Sequence, residues 1–303
     1  MKKSKIGIGL DINNHHLCLV QLRREGTGLE LLQHYHHPLP PGWVDAGQIR
    51  DFPGVSSLLA EAVAATALRG QKVVTALNGQ QVYTRSLCLP WMPMDELRQA
   101  AQLQALNFLP IPSEETVMDI SPCRISESDE GKQVELFFVA ARRQRVEELE
   151  HLCQRAGLRA AAIETEADAL FRLSPLEQDE TAAVLYLEDQ RWLLSIGHAN
   201  TPLLFRYFSP AANPPDLLPA PNENDWSQAL SRGFEDFQRQ HPDLNCRRLL
   251  LGGPGATEHQ AHLQTLIPCP VQRWDPLAQL KIKQEYDPVN KDLFLLAIGL
   301  ACR

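Results

Sequence analysis

The sequence lacks a long apolar run. The first apolar segment, residues 6–12, is short and contains Asp11, and no other stretch approaches the roughly eighteen residues that a membrane span needs. It also lacks an excess of basic charge, because 29 Lys and Arg residues stand against 37 Asp and Glu residues, for a formal net charge of −8. We therefore expect a cytoplasmic protein with no direct membrane insertion and no nucleic-acid partner.

Paired cysteines and metal-ligand motifs are missing as well. The seven cysteines are scattered and none forms a CxxC pair, so we expect reduced, mostly buried thiols and no metal site. Several histidines are expected to be solvated, since no cysteine or carboxylate accompanies them at ligand spacing: His15, His16, His34, His36 and His37. Enzyme signatures such as GxSxG, HExxH and the P-loop do not occur, and the protein is not expected to be an enzyme.

The 303 residues, enough for about two domains, contain an internal repeat with the order strand, strand, strand, helix, strand. The first copy comprises strands near 6–12, 17–22, 29–36 and 72–77, with a helix around 58–66. The second comprises strands near 182–187, 192–196, 203–208 and 248–251, with a loop at 210–224 and a helix around 226–237. This duplication predicts an α/β, actin-like fold built from two ribonuclease-H-like βββαβ units.

An extra block lies between the two copies, at residues 82–163. Its two helical patterns, near 95–108 and 144–156, stand among four strand patterns and predict an inserted βαββαβ subdomain. We expect the first actin-like unit to comprise residues 1–81, 164–181 and 282–303, and the second to comprise residues 182–281. The last helix, residues 292–302, is expected to pack back on the first unit.

A duplicated fold of this kind ordinarily holds ATP between its halves, where glycine-containing hairpin turns let backbone N–H groups approach phosphate. Here the first turn, from Asp11 to His16, has no glycine, and the second places the Glu188 and Asp189 carboxylates where phosphates would lie. Only the turn 252–255 keeps the pattern that approaches adenosine. The candidate nucleotide residues are Asp11, Gly252, Gly253 and Gly255, but we expect no cofactor. The alternative for Asp11 is a solvated or hydrogen-bonded strand carboxylate, and the alternative for the glycine run is a tight strand-to-helix turn without a ligand.

The most specific string in the sequence lies in the inserted block. It runs from Arg85 through Leu89-Pro90-Trp91-Met92-Pro93 to Asn107-Phe108-Leu109-Pro110-Ile111-Pro112. This string resembles the signature of the PilM family, the actin-like cytoplasmic subunits of type IV pilus assembly machines. Matches at 38–51, 139–142, 156–158 and 297–301 extend the similarity over nearly the whole chain. The sequence departs from the family at Asn13, Asn14, His15 and Glu188, and it is most similar to short, divergent members such as those of mannose-sensitive (MshI-like) pilus systems.

The resemblance implies a scaffold. Proteins of this family bind the cytoplasmic N-terminal segment of a PilN-like bitopic inner-membrane protein, in a groove between the first and the inserted unit, which would hold the protein at the inner membrane. The candidate groove residues are Arg85, Pro90, Met92, Pro93, Phe108 and Pro110. For the apolar ones, packing in the core is the alternative role.

Other partners and functions stay open at this point. The pilus assembly ATPase is a further candidate partner. A nucleotide-binding switch or weak ATPase of the actin-like superfamily is one alternative function. The cytoplasmic half of a type II secretion platform subunit is another, and we expect such a chain to continue into a transmembrane helix.

Overall fold

The computed structural model of the protein describes residues 5–25, 28–78, 81–128, 131–177, 179–188, 191–199, 201–208, 226–278, 280–282 and 291–303. The predicted loop at 210–224 lies outside the described residues. The first elements are β1 (Lys5–Ile12), β2 (His16–Glu25), β3 (Gly28–Pro38), β4 (Val44–Asp45), β5 (Gln48–Ile49), α1 (Phe52–Ala65) and β6 (Lys72–Leu77). They are followed by β7 (Val82–Pro90), α2 (Met94–Ala105), β8 (Thr116–Ser128), β9 (Gly131–Arg142), α3 (Arg143–Arg155), β10 (Arg159–Thr165) and α4 (Glu166–Leu173).

The second half of the chain repeats the pattern of the first. Its elements are β11 (Thr181–Glu188), β12 (Arg191–His198), β13 (Thr201–Phe208), α5 (Trp226–Gln240), β14 (Leu249–Gly252), α6 (Ala256–Leu266), β15 (Val271–Arg273), β16 (Leu280–Ile282) and α7 (Leu295–Ala301). The strands β11, β12 and β13 are antiparallel neighbours, and β14 pairs parallel with β11, as β6 does with β1. The predicted duplication of a βββαβ unit is therefore confirmed.

The first unit is a six-stranded sheet with the order β10-β6-β1-β2-β3-β16. Helix α1 covers one face, and Asp51 fixes its start because the carboxylate accepts the N–H of Gly54 at 3.0 Å. Alternate residues of the strands meet this helix, as the period of two requires. The buried side chains of this face include Leu10, Leu17, Leu19, Val55 and Leu59.

Helix α7 packs on the other face of β1. Gly7 and Gly9 face it, and a Cβ on Gly9 would stand only 1.9 Å from the carbonyl oxygen of Ala297. Only glycine permits this approach of helix to strand. The prediction that the last helix returns to the first unit is confirmed. Together with α4, this helix lies in a core that the two sheets share, through Phe171, Tyr186 and Ile298 among others.

The inserted sheet has three strands, in the order β7-β9-β8, and α2 covers one face with Leu97, Ala101 and Ala105. The strand predicted to end the inserted block, β10, lies elsewhere, because it pairs parallel with β6 at the edge of the first sheet. Helix α3 accompanies it, since Leu152 and Cys153 are buried in the core beneath α1. The inserted unit therefore has the element order βαββ, and helix α3 and strand β10 belong to the first unit.

The inserted sheet also contacts the second half. Ser86 donates to the carbonyl of Leu203 at 3.1 Å, which joins β7 to β13. Arg124 on β8 forms an ion pair with Asp243, just beyond α5. The inserted unit is thus covalently continuous with the first unit and contacts the second unit through side chains.

Candidate functional site

The turn of the β1–β2 hairpin is closed by one side chain. Asn13 is fully buried, and its Oδ1 accepts the backbone N–H groups of His15 and His16, both at 2.9 Å. In a phosphate-binding turn such N–H groups point toward the anion. Here they are already occupied by the asparagine.

The same asparagine reaches the second half of the chain. Its Nδ2 lies 3.2 and 3.3 Å from the two carboxylate oxygens of Glu188, which ends β11, and 3.5 Å from Oδ2 of Asp11. His16 Nε2 lies 3.4 Å from Asp11 and 3.3 Å from Glu188. We call Asp11, Asn13, His16 and Glu188 the hairpin cluster. None of the four is more than 4% exposed, so the cluster fills the space between the two hairpins with the chain's own polar groups.

The burial of His16 corrects the expectation that the histidines are solvated. Its side chain faces the two carboxylates because β2 begins at this residue and turns it inward, where the second hairpin lies. The ring of His36 stands 5.6 Å from it and also contacts Phe294. Burial lowers the pKa of His36, and the neighbouring histidines lower it further. His15, His36 and His37 are exposed, as expected, whereas His34 is half-buried.

The glycine turn at 252–255 packs against its own chain. Gly253 has a φ of +93°, and a Cβ there would stand 2.4 Å from the carbonyl oxygen of Leu187. The Gly255 N–H donates to that same carbonyl at 3.1 Å. A Cβ on Gly252 would stand 2.8 Å from the ring of Trp274. Close packing against β11 and Trp274 accounts for these glycines without a ligand.

These residues do not fit the polyphosphate that actin-like folds hold. Two N–H donors of the first turn are engaged by Asn13, and two buried carboxylates, Asp11 and Glu188, face the place where phosphate charge would sit. Like charges at such short range repel strongly when water is excluded.

The residues of the string in the inserted unit fall into two groups. Arg85 is exposed on β7, and its guanidinium carbon lies 4.5 Å above the ring of Phe108, which in turn meets Phe138 edge-on at 5.4 Å. Met92 and Phe108 are half-buried and pack against the core of the inserted unit. The three prolines are exposed: Pro90, Pro93 and Pro110. The structure therefore brings Arg85 and Phe108 together as an exposed cation on an aromatic platform.

A narrow cleft that the sequence did not indicate lies beside the insertion. Arg145 and Glu148, in the first turns of α3, face Gly47 and Asn78 of the first unit across a volume of about 10 Å³, room for one water molecule. Arg145 donates to Glu148 at 2.9 Å, and its Nε is buried without a hydrogen-bond partner in the described part of the chain. The basic pair Arg142-Arg143 just before it is typical of a solvated face, and nothing in the sequence indicates that Arg145 lies in a cleft.

Exposed apolar side chains concentrate on the inserted unit. In the described ranges, five of the six large hydrophobic residues that are exposed lie there: Trp91, Met94, Leu103, Leu106 and Ile125. The ammonium of Lys132 stands 4.9 Å from the Trp91 ring centroid. Such a concentration is typical of a surface that meets a partner.

A duplicated βββαβ core with a sheet inserted between its copies defines an actin-like protein. The family described as type IV pilus assembly protein PilM matches residues 9–189, which is more than half of the chain. The chain therefore belongs to the PilM family, and its role lies in type IV pilus biogenesis.

Solved structures share this fold. A PilM–PilN type IV pilus biogenesis complex contains a chain with a TM-score of 0.76 and 22% identity, covering 97% of each chain. The cytoplasmic domain of EpsL, an inner-membrane component of the type II secretion system of Vibrio cholerae, has a TM-score of 0.51 and 9% identity, covering 97% of this chain and 94% of that one.

In the ranges given above, no helix combines the length and apolarity needed to cross a bilayer. Within the same ranges, no three His, Cys, Asp or Glu side chains are grouped so that they could hold a metal ion.

Proposed function

We propose that the protein is a non-enzymatic, cytoplasmic scaffold of a type IV pilus assembly platform. It binds the N-terminal tail of a PilN-like single-pass membrane protein and is recruited to the inner membrane by that partner. The observation that carries the scaffold role is the hairpin cluster, which occupies the phosphate-binding turn with Asn13 and places Glu188 opposite it. A protein whose nucleotide cleft is filled in this way acts through binding and not through hydrolysis.

The groove for the tail lies between the first and the inserted unit. Two features support this position. Arg85 offers an exposed guanidinium above Phe108, and its N–H groups are suited to the carbonyl or carboxylate oxygens of an extended peptide. On the first-unit side, the cleft at Arg145 presents a buried N–H donor that a peptide carbonyl would satisfy.

The test is an isothermal calorimetric titration of the purified protein with a synthetic peptide of the PilN-like N-terminal tail. The wild-type protein should bind the peptide, and Arg85→Ala and Arg145→Ala should each weaken binding about tenfold, or about 1.4 kcal/mol. Arg98→Ala is the matched control, because Arg98 is an exposed arginine of the same unit whose nearest carboxylate, on Asp95, is 3.8 Å away. The affinity of the Arg98→Ala variant for the peptide should stay at the wild-type value.

The outcomes separate the parts of the proposal. No binding of the tail peptide by the wild-type protein would overturn the scaffold role with this partner. Wild-type affinity in both Arg85→Ala and Arg145→Ala would leave the partner but move the groove elsewhere. A parallel titration with Mg-ATP should give no heat and no thermal shift at millimolar nucleotide, and binding there would instead favour a nucleotide-gated switch.

A further inference from the structure

Two cysteines of the second unit stand with their sulfur atoms in contact. The Sγ atoms of Cys246 and Cys269 are 3.9 Å apart, although the residues are 23 positions apart in the sequence. Both thiols are free. The contact is built by the sheet, because Cys246 precedes β14 and Cys269 precedes β15, and these two strands are parallel neighbours with Leu249 opposite Val271.

The two thiols differ in access and in hydrogen bonding. Cys246 is partly exposed, while Cys269 is buried against the core of the second unit. The Leu249 N–H donates to the carbonyl of Pro270 at 2.9 Å, so the backbone holds the two cysteine-bearing segments side by side. The contact between the two sulfur atoms couples the thiols: it lowers the pKa of Cys269 and raises the pKa of Cys246.

We propose that Cys246 and Cys269 are an oxidation site at which a peroxide-type oxidant closes a reversible intramolecular disulfide. One thiol is oxidised by hydrogen peroxide to a sulfenic acid with release of one water. The second thiol then attacks that sulfur, the S–S bond forms, and the sulfenic hydroxyl leaves with a proton as a second water. Two thiols lose two electrons and two protons in total, peroxide is reduced to two waters, and a dithiol reductant reverses the change.

The disulfide would fasten an edge of the second sheet. Strand β15 has three residues and is the outer strand next to β14, so its hold on the sheet depends on few backbone pairs. Trp274 follows it directly and packs on Gly252. A covalent link at the start of both strands restricts the unfolded chain and should raise the temperature of unfolding of the oxidised protein.

The experiment treats the reduced full-length protein with hydrogen peroxide or diamide and counts thiols by mass spectrometry after alkylation under denaturing conditions. The wild-type protein should go from seven free thiols to five, and non-reducing peptide maps should link Cys246 to Cys269. Cys246→Ser and Cys269→Ser should keep all six of their thiols. Cys88→Ser removes an exposed thiol outside the pair and is the matched control, which should go from six to four.

Three results would overturn the proposal. One is a wild-type protein that retains seven thiols, or gains oxygen at Cys246 or Cys269 without a link. Another is a peptide map that joins other cysteines, including a dimer linked through Cys88. The third is loss of two thiols in Cys246→Ser. A rise in unfolding temperature on oxidation that Cys88→Ser shares and Cys269→Ser lacks would support it.

Discussion

Replacement of Asn13 by alanine should destabilise the protein far more than the loss of one ordinary surface asparagine. The change removes the acceptor of two backbone N–H groups, on His15 and His16, and a donor within 3.2 Å of the Glu188 carboxylate. A buried donor left without a partner costs about 1–3 kcal/mol. His15 is exposed, so its N–H can hydrogen-bond to water once the asparagine is gone, whereas the N–H of buried His16 cannot. The expected loss of unfolding free energy is therefore about 3 kcal/mol.

The assay is urea unfolding at pH 7, followed by tryptophan fluorescence and by circular dichroism, with the midpoint and slope compared between variants. Asn14→Ala is the matched control, because Asn14 is the next residue and its Oδ1 accepts one N–H, that of Gly47 at 3.3 Å. It should cost about 1 kcal/mol. Asn13→Asp keeps an acceptor for the turn but adds a third carboxylate beside Asp11 and Glu188, so it should also destabilise, through repulsion.

The reasoning would be refuted if Asn13→Ala lost no more stability than Asn14→Ala. That result would mean that water replaces the asparagine without cost and that the hairpin cluster is not a closed polar core. A large loss in Asn13→Ala together with a neutral Asn13→Asp would locate the whole effect in the turn and none in the contact with Glu188.

Two further perturbations test other parts of the structure. Arg248 donates to both carboxylate oxygens of Glu180, at 2.7 and 2.8 Å, and lowers the pKa of Glu180. The stability from this pair is present above the pKa of Glu180 in the unfolded chain and is lost as the pH falls through the lowered pKa of the folded protein. Glu180→Gln should therefore flatten the acid limb of a profile of unfolding free energy against pH, and an unchanged limb would contradict the prediction. In thermal unfolding, Gly253→Ala should lose about 2 kcal/mol more unfolding free energy than Gly70→Ala, because both glycines have a positive φ but only a Cβ on Gly253 would meet the backbone of Leu187. Equal losses in the two variants would assign the whole effect to the backbone angle.

The elements of both repeats could be predicted because their signals are local. The alternation of residues 6–12 and the helical spacing of Leu230, Phe234 and Phe237 each report which side chains face a core. The duplicated order then specified the fold. The prediction that β10 belongs to the inserted block is wrong, because the residues of β10 indicate a strand but do not indicate which sheet it joins. Its pairing with β6 is settled by α3, whose Leu152 and Cys153 pack beneath α1.

The candidate site was the harder part, since its contacts join residues far apart in sequence. His16 follows a polar turn, and a polar turn ordinarily predicts exposure. It is buried because Glu188, 172 positions later, closes over it at 3.3 Å. The absence of turn glycines predicts that no phosphate binds at the first turn, but only the structure names Asn13 as the group that accepts the N–H donors of that turn.

The same contacts bear on how a scaffold without nucleotide would hold its groove. Asn13 and Glu188 join the two halves, and Arg124 with Asp243 joins the inserted unit to the second half. The first and the inserted unit, which flank the proposed groove, are therefore each joined to the second unit by side chains. A groove held in this way loses little conformational entropy when a peptide enters, which raises affinity without additional contacts. A substitution that weakens the hairpin cluster should then lower affinity for the tail peptide, although the cluster does not line the groove. The loss should grow with the conformational freedom that the two halves gain relative to each other.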